Sequence, residues 1–183
     1  MTNIGNRFEI SSLTNDKIKL INSLHHRKYR REHNLFVAEG IRICREAVEN
    51  GWEIRYLLYD NLNTDSQKIK NLISDVLCLG ADVIGVTSEI LSKISHKENS
   101  QNVLCVICQK WNDLPGIIKD KTFVALETVR DPGNLGTILR TMDGVGATDC
   151  ILLDHSTDPF SYESVRASMG AIFNVNIIAS STK

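Results

Sequence analysis

The 183-residue chain carries 21 Lys/Arg against 22 Asp/Glu, a net charge of −1, with 42% hydrophobic and 23% charged residues. That balance matches an ordinary folded protein and excludes both a disordered chain and a uniformly basic nucleic-acid binder. No apolar run approaches a membrane span, and the polar stretch 1–7 lacks an apolar signal core, so a cytoplasmic location is expected.

Thr14 is placed to cap a helix over about residues 15–28, with Ile18, Ile21 and Leu24 on one face. A short strand at 35–37 follows. A helix marked by Ile41, Cys44, Ala47 and Val48 then ends near Gly51. Residues 54–59 read as a strand and 61–66 as a polar loop. Ile69, Leu72, Ile73, Val76 and Leu77 define a helix ending near Gly80. A strand at 83–86 leads to a short helix capped by Thr87 or Ser88, with Ile90, Leu91 and Ile94 buried, and another strand occupies 103–108. This alternation predicts an α/β domain with a mostly parallel sheet. Asn112-Asp113-Leu114-Pro115-Gly116 has linker composition, which gives a first domain 1–112, a linker 113–121 and a second domain 122–183. The second domain reads strand 122–127, helix 134–145, strand 150–153, helix 161–172, strand 174–178. Three strands make a poor core, and the last presents an unpaired apolar edge. The unit is expected to be marginally stable alone or to self-associate.

The neutral total hides an asymmetry. Residues 1–31 hold seven Lys/Arg (Arg7, Lys17, Lys19, Arg27, Lys28, Arg30, Arg31) against Glu9 and Asp16, a surplus of five, so the rest of the chain runs to −6. Four of these cations fall within 27–31, beside His25, His26 and Tyr29. Two readings stand: a local polyanion contact, or a solvated helix end whose cations complement the dipole. The five cysteines, Cys44, Cys78, Cys105, Cys108 and Cys150, are odd in number and scattered, which does not describe a disulfide framework. Cys105 and Cys108 have metal-like spacing, but on a strand residues three apart face opposite sides, so no metal is expected. Phosphate-loop, Gly-x-Ser-x-Gly and His-Glu-x-x-His patterns are absent, and Gly144-Val145-Gly146 lacks the third glycine of a dinucleotide fingerprint. His96 near Glu98 reads as a loop pair. His155 with Asp154 and Asp158 follows a strand, where ligands bind in α/β sheets. Glu39 and Arg166 are each open to a structural ion pair or a polyanion contact.

The run Asp131-Pro132-Gly133-Asn134-Leu135-Gly136-Thr137-Ile138-Leu139-Arg140-Thr141 lies between two apolar strands. Leu135, Ile138, Leu139, Met142 and Val145 form one helical stripe, with Gly136, Arg140 and Asp143 opposite. Helical side chains lean toward the N-terminus, so Arg140 is expected to point over Gly136 toward the helix start near Asn134. There, N–H groups and the dipole suit a phosphate or an oxyanion. Alternatively, Pro132, Gly133 and Asn134 make only a turn with an N-cap, and Arg140 is solvated.

This run resembles the first signature motif of the SpoU (TrmH) family of RNA ribose 2′-O-methyltransferases, in the SPOUT class. Val165-Arg166-Ala167-Ser168-Met169-Gly170-Ala171-Ile172-Phe173 resembles the segment that follows that motif. Phe36-Val37-Ala38-Glu39-Gly40, with Lys28, Arg30 and Arg31 upstream, is similar to the opening of the family's substrate-binding domain. The resemblance implies a ribosomal-protein-like α/β RNA-binding domain followed by a SPOUT (α/β knot) methyltransferase domain. It implies S-adenosylmethionine as methyl donor, ribosomal or transfer RNA as substrate, and a homodimer. It assigns catalysis to Asn134 and Arg140, the arginine helping to polarise or deprotonate the ribose 2′-hydroxyl. A cation beside that weak nucleophile favours the alkoxide, although an Arg does not readily act as the base. Arg27, Lys28, Arg30, Arg31 and Arg166 are the RNA-contact candidates. Two later family motifs, a Glu/Gly run and a Ser-Leu-Asn run, have no counterpart before Lys183. The expectation is therefore an incomplete SPOUT domain, truncated before the knot, most of the cofactor pocket and much of the dimer surface; the cofactor-binding residues would lie beyond Lys183. Two rival readings are a non-catalytic RNA-binding fragment and a general nucleotide-binding α/β protein.

Overall fold

The computed structural model describes residues 4–95, 101–114 and 122–181. The chain divides into two units, residues 1–108 and 109–183.

The first unit runs β1 (Arg7–Ile10), α1 (Asp16–Ser23), α2 (Arg27–His33), β2 (Leu35–Glu39), α3 (Ile41–Glu49), β3 (Ile54–Asp60), α4 (Gln67–Cys78), β4 (Asp82–Val86), α5 (Ser88–Ser95) and β5 (Val103–Cys108). Its sheet has the order β1-β4-β3-β5-β2. Sequence periodicity missed β1, a four-residue edge strand with no fully buried residue. The expected mostly parallel sheet needs one correction. β1, β4 and β3 pair in parallel, but β5 inserts between β3 and β2 and runs antiparallel to both. Alternation of strands and helices does not report that reversal. Five of the six β5 residues are buried, as are Leu57 and Leu58 of β3, because helices cover the sheet. The single helix expected over 15–28 is two helices. Asn15, not Thr14, caps α1 by accepting the Lys17 N–H at 2.9 Å. His26 is extended and breaks the run before α2.

The second unit holds β6 (Phe123–Glu127), α6 (Pro132–Gly144), β7 (Asp149–Leu153), α7 (Tyr162–Ser168), a 3-10 turn (Ala171–Phe173) and β8 (Asn176–Ser180). Its strands lie in the order β6-β7-β8, all parallel. Among the described residues this sheet is open, with no knotted crossing. The helix expected over 161–172 stops at Ser168, because Met169 and Gly170 both take positive φ and a right-handed helix cannot pass through them. The outer edge of β8 is partly paired rather than bare. Asn112 bridges to Ile178 and donates its N–H to the Ile177 carbonyl at 2.8 Å, while Trp111 packs edge-on against Phe160 at 5.0 Å. Residues 109–112 thus pack with the second unit. Of the expected linker, 115–121 lie outside the described residues. The less covered strand is β6, where Phe123, Val124 and Leu126 are half-buried and Ala125 is exposed. Among the described residues, no helix is long and apolar enough to cross a membrane.

Candidate active site

The signature run forms the start of α6. Asp131 is the N-cap, its carboxylate accepting the Asn134 N–H at 2.6 Å, and Pro132 opens the helix with its φ already helical. Asn134 is therefore a first-turn residue, not the cap, and its side chain is exposed. The Asp131 carboxylate at this corner also opposes a bound phosphate, so the bare helix start is a weaker anion site than the motif spacing predicts.

Gly136 has a different purpose from the one its spacing indicates. It is buried, and a β-carbon there would meet Ala167 Cβ at 2.5 Å, the Ser164 carbonyl oxygen at 2.6 Å and the Ser168 nitrogen at 2.8 Å. The absent side chain admits the backbone of α7 rather than the head of Arg140. Ser164, fully buried, strengthens the join by hydrogen-bonding through its hydroxyl to the carbonyls of Pro132 and Asp158, each at 3.2 Å. Leu135, Leu139 and Met142 face the core, but Val145, expected on the same stripe, is 75% exposed because the helix has ended.

Arg140 lies one turn beyond the Gly136 contact and is exposed. Six positions separate it from Asn134, about 9 Å along the helix axis. Thr137 and Thr141 donate to the carbonyls of Gly133 and Thr137 along this ridge, at 2.9 and 3.0 Å. Arg166 is exposed on α7, the helix locked to α6 at Gly136. Asn134, Arg140 and Arg166 thus share one rigid two-helix block, with both guanidinium groups on its surface. Nearby, the strand-to-loop turns after β6 and β7 use Thr128 and Asp154 at positive φ, and both residues are exposed. Asp158 is 7% exposed and accepts the Phe160 N–H at 2.9 Å, so it builds a turn. Among the described residues no group of three or more His, Cys, Asp or Glu is placed to hold a metal. His96 and Glu98 lie outside the described residues.

The cysteines are free thiols. Burial pushes Cys150 up to about 12. Burial, then the Glu53 carboxylate beside it, pushes Cys108 up to about 11. Both are therefore held as thiols at neutral pH, with little thiolate for nucleophilic chemistry. Cys105 is wholly buried beside Cys44, while Cys108 is half-buried.

In the first unit, α2 presents Arg27, Lys28 and Arg31 to solvent. Arg30 parts from them. It is 4% exposed, and its Nη1 donates to the carbonyls of Leu24 at 2.8 Å and His25 at 2.7 Å. It ties the end of α1 to α2 and is withdrawn from the surface the sequence assigned it to. Glu39 accepts the Gln101 N–H at 2.7 Å, joining the end of β2 to the approach to β5. Sequence reasoning missed Asp131, although Asp followed by Pro is a recognisable cap signature. It also missed Ser164, whose burial depends on partners 32 and six residues away.

A mixed-sheet unit bearing a cationic helix, followed in the chain by a parallel three-stranded α/β unit with this helix pair, has clear counterparts. The MRM3-like substrate binding domain matches residues 15–105, and the SpoU rRNA Methylase family matches residues 121–183. A 23S rRNA (uridine(2479)-2′-O)-methyltransferase of Streptomyces viridochromogenes is 32% identical over 76% of this chain and 49% of its own length. A 23S rRNA (guanosine(2553)-2′-O)-methyltransferase of Bacillus subtilis is 26% identical over 93% of this chain and 64% of its own. The crystal structure of an rRNA methyltransferase from Sinorhizobium meliloti superposes with a TM-score of 0.89 at 38% identity, covering 97% of this chain and 67% of that one. The chain belongs to the SpoU (TrmH) family, in the SPOUT class of RNA methyltransferases. It spans about half to two thirds of the length of these curated relatives.

Proposed function

We propose that the chain serves ribose 2′-O-methylation of ribosomal RNA with S-adenosylmethionine as methyl donor. In this reading the first unit holds the RNA, up to residue 108 rather than the expected 112, and the domain over 122–183 carries the reacting corner. The observation that supports it most is the α6–α7 block, in which the Gly136 contact fixes the helix that exposes Asn134 and Arg140. Ribosomal rather than transfer RNA is favoured because the relatives named above act on 23S rRNA. The setting is a compartment that holds ribosomes, the bacterial cytoplasm by analogy with those relatives. A homodimer is part of the same proposal.

A ribose 2′-hydroxyl is a poor nucleophile at neutral pH. The Arg140 guanidinium lowers the cost of negative charge on that oxygen as its proton leaves. The guanidinium cannot accept the proton, so a phosphate oxygen or water takes it. The Asn134 amide positions the ribose or its phosphate, while Arg166, Arg27, Lys28 and Arg31 bind the backbone. S-adenosylmethionine supplies the methyl group when bound. Ligands of open α/β sheets sit beyond the carboxyl ends of the strands, and here that crest is lined by exposed Thr128, Arg130 and Asp154. These residues fit one wall of such a site and do not enclose it.

A second reading, RNA binding without turnover, is favoured by the half-exposed β6, which leaves the second sheet open on the described residues. Calorimetric titration of S-adenosylmethionine, followed by transfer of labelled methyl to 23S rRNA, separates the two. Methyl transfer to a ribose supports the first reading. RNA affinity without cofactor affinity supports the second. In the first case Arg140→Ala is expected to lower turnover by about 100-fold or more with unchanged melting. Undiminished turnover would reject its role.

A further inference from the structure

The pairing of β3 with β5 skips one residue. Ile54 opposes Ile107 and Tyr56 opposes Val106, so Arg55 is the extra residue of a β-bulge. Consecutive strand residues normally point to opposite faces. A bulge re-aims them, and here Arg55 and Tyr56, adjacent in sequence, line the same cleft. That cleft has a volume of about 270 Å³, and its other walls are Leu20 of α1, His33 of α2, Leu35 and Cys108. His33 is the last residue of α2, so the cleft opens beside the helix that exposes Arg27, Lys28 and Arg31. Tyr56 is half-buried, while Arg55 and His33 are exposed at the rim. Two cations flank the ring: the Arg55 guanidinium lies 5.9 Å from the Tyr56 ring centroid, and Lys17 Nζ, which also pairs with the Asp82 carboxylate at 3.6 Å, lies 4.8 Å from it.

We propose that this cleft takes one unpaired nucleotide of the RNA, its base against the rings of Tyr56 and His33 and its phosphate on Arg55. The inference rests on the RNA-binding reading of α2 and deepens it by naming the substrate class: RNA with an unstacked base, not continuous duplex. The chemistry is specific to that occupant. Aromatic rings and a guanidinium plane stack on any base, an adjacent cation neutralises its phosphate, and a paired base inside a helix cannot enter. The volume suits a single base and falls below the usual range for a drug-sized molecule. Its apolar floor, Leu20 and Leu35, rewards a flat ring over a hydrated ion.

The test is fluorescence anisotropy on the whole chain, using a short labelled single-stranded RNA and the same sequence as duplex. His33→Ala and Arg55→Ala change exposed side chains, and Tyr56→Leu keeps the apolar bulk, so all three should fold. Each is expected to weaken single-strand binding by about tenfold, with duplex binding changed by less than about twofold. An abasic residue placed in the single strand should weaken binding to the native chain and no longer matter to Tyr56→Leu. If all three variants bind single strands normally while joint Arg27, Lys28 and Arg31→Ala substitution abolishes binding, the cleft proposal is overturned and the RNA reading stands. Equal losses on single strand and duplex overturn it in favour of a purely electrostatic path. Absence of any RNA binding by the native chain overturns both.

Discussion

Two apolar strands of similar composition meet opposite fates in this molecule. β5, Val-Leu-Cys-Val-Ile-Cys, is flanked by strands on both edges and has five of its six residues buried. Among the described residues β6, Phe-Val-Ala-Leu-Glu, pairs with β7 alone and has none of its residues fully buried. The difference does not lie in the strands themselves. Burial is set by how many layers and neighbours the rest of a unit supplies, and the first unit supplies five strands where the second supplies three among the described residues. Stability should follow the same division, since it scales with apolar area removed from water.

The largest expected effect tests that division directly. Leu58→Ala, at a fully buried position of β3, should cost about 3 to 4 kcal/mol through lost transfer energy and a cavity. Phe123→Ala in half-buried β6 should cost only about 1 kcal/mol despite the larger side chain removed. Denaturant unfolding read by amide exchange in each unit measures both; equal costs would break the comparison. Gly136→Ala comes next. Its β-carbon collides with α7 backbone that cannot give way cheaply, so the second unit should lose about 2 to 3 kcal/mol even though alanine is the better helix former. An unchanged second unit would mean that the two helices slide apart freely. The smallest effect concerns Asp60, 3% exposed at the end of β3. Burial acts to raise its carboxyl, but hydrogen bonds from Ser88 at 2.6 Å, Asn63 at 2.7 Å and the Leu62 N–H at 3.0 Å outweigh it and hold the group below its ordinary value. A depressed folded value contributes stability that is present above the unfolded value, about 3.9, and is lost as pH falls through the folded one. Asp60→Asn should therefore lower first-unit stability by about 1 kcal/mol at neutral pH and flatten its decline in acid. Parallel acid curves for the two proteins would remove Asp60 from the account.

The order and type of most elements were legible in the sequence, because period and turn chemistry are local. α3, α4 and α5 fall where Ile41, Leu72 and Ile90 and their neighbours repeat at helical spacing. β6, α6 and β7 fall where the signature run separates two apolar stretches. Elements that depend on a partner were not legible. β1 is a strand because β4 receives it. The break between α1 and α2 is held by an arginine whose neighbours in sequence are ordinary surface cations.

Within the candidate site the same line divides the residues. Asn134 and Arg140 stand out in the sequence because their spacing to Pro132 and Gly136 forms a motif, and an exposed side chain needs no distant partner to be placed. Gly136 was legible as a glycine but not as a helix contact, since the atoms it admits belong to Ser164, Ala167 and Ser168. Arg30 read as a surface cation like Arg27, Lys28 and Arg31, yet it turns inward to the carbonyls of Leu24 and His25. By itself the sequence determined the alternation of most elements and the placing of the signature run at the start of a helix, both of which rest on interactions within a few residues. Tertiary structure alone decided the reversed β5, the buried Arg30, the α6–α7 contact at Gly136 and the bulge that turns Arg55 and Tyr56 into one cleft. Each of these is a choice between faces or directions, and only residues brought together from distant parts of the chain can make it.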